Sequence, residues 1–160
     1  MKNLIKALLL STITIIGLFM FTGMAAGDVK TIKGQTLYVP CYTSYISVSY
    51  SHNLNATVFI HNTDPSNEIN LVRIDYYNTG GKLVKKCLPQ PLKLNPLAAT
   101  RFTIQEPLTG EDGAVAHLIV QWKAEKKVVE PLIDAWFLAS AGTRGYSFTS
   151  QARIIQEDAN

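Results

Sequence analysis

Three histidines and two cysteines are the residues of this 160-residue chain best suited to proton transfer or metal binding. His52, His61 and His117 carry the side chain whose unperturbed pKa lies near neutrality. Zinc needs three or four ligands converging on one point. No His-x-His, His-x-x-x-His or Cys-x-x-Cys spacing occurs. His61 and His117 fall on predicted strands, so they are the candidates for a metal site assembled across a sheet; the alternative is a packed or surface histidine on each. Cys41 and Cys87 are either a disulfide pair or two small buried apolar side chains, and both readings stay open.

Nucleophilic and phosphate chemistry find less support. No Gly-x-Ser-x-Gly elbow is present. The stretch Asp75–Lys86 sets Gly80-Gly81-Lys82 between apolar runs. A phosphate loop needs glycine where Tyr76 stands and Ser or Thr where Leu83 stands. Asn78-Thr79-Gly80-Gly81 therefore reads as the turn of a β-hairpin, with glycine supplying positive φ. Glu111-Asp112 lies in a polar loop without the oxygen-rich pattern of a calcium site. Arg73 and Asp75 share a strand parity and form a solvent-screened pair in this reading.

Two features suit recognition instead. Tyr42, Tyr45 and Tyr50, among serines and threonines, offer aromatic area with polar tips to a glycan. Tyr42 and Tyr50 share a parity with Ile46 and Val48, so core packing accounts for them and Tyr45 is the contact candidate. In Ala141-Gly142-Thr143-Arg144-Gly145, Arg144 has the geometry for a paired contact with a carboxylate or phosphate. A strand-connecting turn with a solvated arginine is the simpler account.

The elements that must position these residues are strands. Alternation of period two runs through Tyr38–Tyr50, with Tyr38, Pro40, Tyr42, Ile46, Val48 and Tyr50 as the apolar parity, and through Ala56–Ile60. Further strands are predicted at Leu71–Tyr77, Leu83–Leu88, Arg101–Gln105, Ala114–Lys123, Leu132–Ala139 and Tyr146–Ile155. Pro, Gly, Asn and Asp punctuate them. The gaps are too short for the crossovers of a parallel sheet. An all-β antiparallel sandwich of about seven or eight strands, immunoglobulin-like or fibronectin-like, is expected. The antibody variant lacks support, because Trp122 and Trp136 both follow Cys87 instead of lying between the cysteines.

Ahead of the strands, Lys2 and Lys6 precede an uncharged run, Ala7–Gly27, that ends in Gly23-Met24-Ala25-Ala26-Gly27. This is the pattern of an export signal. Cleavage after Ala25 or Gly27 is the favoured reading, and an uncleaved membrane anchor is the alternative. Residues 1–27 are thus a signal helix or anchor, and 28–160 a single exported domain, periplasmic or extracellular. Two of the 15 basic residues lie in the leader and all 12 acidic ones outside it, which leaves the domain at +1. A nearly neutral domain without a basic stripe argues against nucleic acid as a partner. Membrane contact is expected only through residues 1–27, if that segment is uncleaved.

Gly34-Gln35-Thr36-Leu37-Tyr38-Val39-Pro40, Asn62-Thr63-Asp64-Pro65, Asp75-Tyr76-Tyr77 with Gly81-Lys82-Leu83-Val84, Pro96-Leu97-Ala98-Ala99-Thr100, and Ser147-Phe148 with Arg153 together resemble a family of bacterial exported proteins known as domain of unknown function 3124. The resemblance covers about Gly34 to Ile155. It implies an exported prokaryotic domain and supplies no activity, cofactor or catalytic residue. The resulting expectation is a cell-envelope interaction or accessory module without a cofactor, whose partner is an envelope protein or a glycan. The alternative is a small extracytoplasmic metal-binding protein or hydrolase using His61 or His117.

Overall fold

A computed structural model describes residues 29–46, 51–104, 115–141 and 144–158. The expected signal segment, Tyr50, and the loop holding Glu111 and Asp112 lie outside them. Among the described residues there is no helix, and twelve strands account for most of the chain. In chain order they are β1 (Thr31–Cys41), β2 (Ser44–Ile46), β3 (Ser51–Asn53), β4 (Asn55–His61), β5 (Ile69–Tyr77), β6 (Leu83–Lys86), β7 (Leu92–Leu94), β8 (Ala99–Thr103), β9 (Ala116–Val129), β10 (Leu132–Ala141), β11 (Arg144–Gln151) and β12 (Arg153–Glu157).

Two antiparallel sheets form the expected sandwich. One runs β12-β1-β9-β5-β6, with β7 also pairing β5, and the other runs β11-β10-β4-β8. A separate ribbon pairs β2 with β3. The strands exceed the expected seven or eight in number because three-residue pieces such as β7 carry too little alternation to register as period two. β11 and β12 are one length of chain that passes from the four-stranded to the six-stranded sheet at Ala152, whose N–H reaches the Ile133 carbonyl at 3.3 Å.

Side chains alternate between core and outer face, as the pleat requires. Leu37, Val39, Ile74, Leu118, Val120 and Trp122 from the larger sheet meet Val58, Ile60, Ala135 and Phe137 from the smaller one, all of them buried. On β1 the inward parity is Leu37, Val39 and Cys41, which reverses the expected assignment. Tyr38 and Pro40 point outward. The strand also starts earlier, at Thr31, and breaks at Tyr42-Thr43. Tyr42 packs inside as expected, 5.4 Å from the Phe137 ring.

The Asp75–Lys86 stretch is the hairpin that its glycines suggest. The Gly81 N–H donates to the Asn78 carbonyl at 3.0 Å, and Gly81 has φ 76°, a conformation that glycine adopts without a Cβ penalty. The Asn78 side chain closes the turn by accepting the Lys82 N–H at 2.8 Å. Gly34 has a different reason to be glycine. A Cβ there would lie 2.9 Å from the Trp122 carbonyl and 3.0 Å from a carboxylate oxygen of Asp158, so β9 and the end of β12 can close in only over a bare backbone.

Candidate functional site

The two histidines held open for metal binding are not brought together. His61 lies on the outer face of the four-stranded sheet beside Phe59, with ring centroids 6.5 Å apart. His117 lies on the outer face of the six-stranded sheet, so both sheets separate the pair. Its ring stacks between Tyr38 at 4.6 Å and Tyr77 at 5.2 Å, and burial lowers its pKa, which keeps it neutral at neutral pH. No group of three or more His, Cys, Asp or Glu among the described residues is arranged to hold a metal ion. Asp75 corrects the expectation of a solvent-screened pair: its side chain is buried on the outer face, with Arg73 Nε at 3.6 Å from Oδ2.

The cysteines are free thiols in this structure. Cys41 is fully buried on β1, and burial pushes its thiol up to about 12. Cys87 is half-buried against the same core, and its pKa is also raised by burial. Neither has the lowered pKa of a reactive thiol. The side chains of Tyr45 and Arg144 lie outside the described residues. Their backbones pair with His52 on β3 and Ala141 on β10.

Two of the stretches that carry the family resemblance meet at one end of the sandwich and form a clamp. The Asn62 Nδ2 donates to the carbonyls of Asn67 at 2.9 Å, Asn95 at 2.9 Å and Leu94 at 3.3 Å. Asp64 accepts the N–H groups of Ser66, Asn67 and Val129 at 2.8 to 2.9 Å. Those bonds hold its carboxyl below the ordinary range, the one from Val129 foremost. Its carbonyl accepts the Leu97 N–H at 3.2 Å. The loops after β4 and β7 are thereby tied to β9. An open polar cleft of about 260 Å³ between Asn67, Asn70, Glu125 and Lys126 adjoins the clamp. Lys93 and Glu68 pair beside it at 2.7 Å. Because the polar capacity of Asn62 and Asp64 is spent on backbone groups and the Asn67 side chain, the clamp is architecture and not a ligand site.

A second internal network serves the Gly34-Gln35 stretch. The Trp122 Nε1 donates to Gln35 Oε1 at 3.2 Å inside the core, while Gln35 Nε2 donates to Glu130 at 2.6 Å. Glu157 joins this group and pairs with Lys30.

Among the described residues, the outer face of the four-stranded sheet is a surface that internal packing leaves unexplained. Strand β10 sends Ile133, Ala135 and Phe137 inward and Leu132, Asp134, Trp136 and Leu138 outward. Trp136 is 47% exposed, and its indole N–H donates to Asp134 Oδ2 at 2.6 Å, which fixes the ring along the strand. Phe59 on β4 meets it edge to face at 5.6 Å. Thr149 and Thr57 flank Trp136 across the sheet, Thr103 continues the row, and the Thr57 and Thr103 hydroxyls lie 3.2 Å apart. Arg101 lies opposite Phe59. The result is a rigid aromatic step bordered by hydroxyls, a carboxylate and a guanidinium.

No curated protein matches the chain. A solved structure titled "Crystal Structure of Thermotoga maritima 1070" is similar over 78% of this chain and 97% of that one, with 11% identity and a TM-score of 0.49. That likeness carries no functional argument. A family model described as a protein of unknown function matches residues 34–155, nearly the whole sandwich. The chain belongs to that family, DUF3124.

Proposed function

We propose that this protein is an extracytoplasmic binding module of the cell envelope, without a catalytic centre, that holds a glycan on the outer face of its four-stranded sheet. The observation that carries the reading is Trp136, a large ring half out of water and locked by Asp134, on a face against which no strand of the described residues packs. Rings held at fixed orientation match the apolar faces of sugars at little entropic cost. The row Thr149, Thr57 and Thr103 supplies hydroxyls at strand spacing for the sugar edges. Export is supported by the signal-like residues 1–27.

Co-sedimentation with insoluble cell-wall polysaccharide tests this directly. Trp136→Ala is expected to weaken retention by about tenfold or more, as loss of a central aromatic contact does. Phe59→Ala should weaken it less, because that ring is more deeply set. Equal retention of wild type and Trp136→Ala, with both folded, would refute the ligand face.

A further inference from the structure

The end of the sandwich where the chain enters β1 carries three exposed apolar side chains: Val29 at 61%, Leu97 at 69% and Leu132 at 56% exposure. Leu97 is the third residue of the tight turn Asn95–Ala98, closed by the Ala98 N–H on the Asn95 carbonyl at 3.0 Å. It has φ 57°, a left-handed conformation for which such a turn ordinarily uses glycine or asparagine. The Asn62 and Asp64 clamp holds that turn in place, through the Asn95 carbonyl and the Leu97 N–H. A turn that only joined β7 to β8 would gain nothing from a strained leucine facing water. Strain held in place by surrounding bonds points to a contact made by the side chain.

The chain itself indicates what makes the contact. Residues 7–27 are an uncharged run of 21 residues, enough for a helix to cross a hydrocarbon core of about 30 Å. Only Asp28, Val29 and Lys30 separate that run from Thr31, the first residue of β1. Three residues span at most about 10 Å, so a bilayer holding the run lies directly against this end of the sandwich.

We infer that residues 7–27 are retained as a membrane anchor and that this end of the sandwich rests on the phospholipid surface, with Leu97, Leu132 and Val29 in the interfacial layer. The inference deepens the export part of the proposed function and is independent of the ligand face around Trp136. Lys126 and Lys127, exposed on the irregular stretch of β9 at the same end, extend toward headgroups beside Glu125, while Glu68 is paired with Lys93. The contact is apolar in the main, and the lysines add only a weak, salt-screened attraction.

The full chain is reconstituted into phosphatidylcholine vesicles with and without lipid brominated near the top of the acyl chain. In Leu97→Trp, the fluorescence added over the parent is expected to be quenched by roughly half or more, as for a ring in the interfacial layer. In Lys82→Trp, at the hairpin on the opposite end, it should be unaffected. Should Leu97→Trp fail to fold, Leu132→Trp on the start of β10 reads the same surface. Leu97→Gly, which relieves the backbone, should unfold no earlier than the parent and yet expose Lys126 to severalfold faster amine labelling from the aqueous side. Equal quenching at both ends, unchanged labelling in Leu97→Gly, or a native chain that begins near residue 26 would overturn the inference. Loss of glycan retention in Trp136→Ala remains a separate result, whichever way these come out.

Discussion

Asp64 shows how a single side chain can hold several loops. Its carboxylate accepts four hydrogen bonds, from Ser66, Val129 and both nitrogens of Asn67. Asp64→Ala leaves those donors without their acceptor, and the unfolding midpoint should fall by about 5 to 10 °C in a thermal melt. The pH dependence has a fixed sign. Because the folded pKa lies below the ordinary 3.8, the contribution is complete above that value and is lost as pH falls through the lowered folded value. The gap between wild type and Asp64→Asn should accordingly be constant near neutrality and shrink below about pH 4. The thiols give a second residue-scale prediction. In the native protein a maleimide should modify Cys87 far faster than the buried Cys41, whose thiol sits near 12, and both should react once the chain is unfolded. Rapid native labelling of Cys41, followed by mass spectrometry, would contradict the burial. Residues of this kind were only partly legible in the sequence. Asn62-Thr63-Asp64-Pro65 reads as a turn, but its hydrogen bond to Val129, 65 residues away, depends on tertiary packing. His117 stands out by its chemistry, whereas its stacking partners Tyr38 and Tyr77 emerge only from the register of three strands.

Elements were more legible than residues, because period two survives wherever one face is buried and the other is wet. β4 and the first half of β9 alternate cleanly and lie where they are predicted. β1 misleads because a single parity run through Tyr38, Pro40, Tyr42 and Ile46 ignores the break at Tyr42-Thr43: before it the more apolar Leu37, Val39 and Cys41 face inward, and beyond it Tyr42 packs on the core. A near-balance of parities hid the candidate ligand face. On β10, Leu132, Trp136 and Leu138 make the outward parity nearly as apolar as Ile133, Ala135 and Phe137, and only Asp134 and Ser140 mark it as the face that meets water. Gly34 belongs to this scale, because it sets how closely β1 can approach β9 and β12. Its absent Cβ would meet a backbone carbonyl that cannot move aside. Gly34→Ala should cost about 1 to 3 kcal/mol in urea denaturation, the usual range for overpacking. An alanine variant as stable as wild type would mean that β9 has more freedom than the geometry gives it.

At the scale of the molecule, the two sheets enclose one core, and among the described residues the end bearing Leu97 and the flat face bearing Trp136 are surfaces that internal packing does not use. The fold class followed from sequence because strand spacing and turn residues agree on it throughout. The face followed only from the sheet order β11-β10-β4-β8, which sets Trp136, Phe59 and the threonine row side by side. Binding of an envelope glycan on that face is the central claim, and its most direct test is an amide and indole chemical-shift map of the protein titrated with solubilised cell-wall oligosaccharides. The account predicts shifts concentrated on the Trp136 indole and on Thr57, Thr103 and Thr149, and their loss in Trp136→Ala. Shifts confined to the Tyr38, His117 and Tyr77 face, or binding untouched by Trp136→Ala, would contradict it.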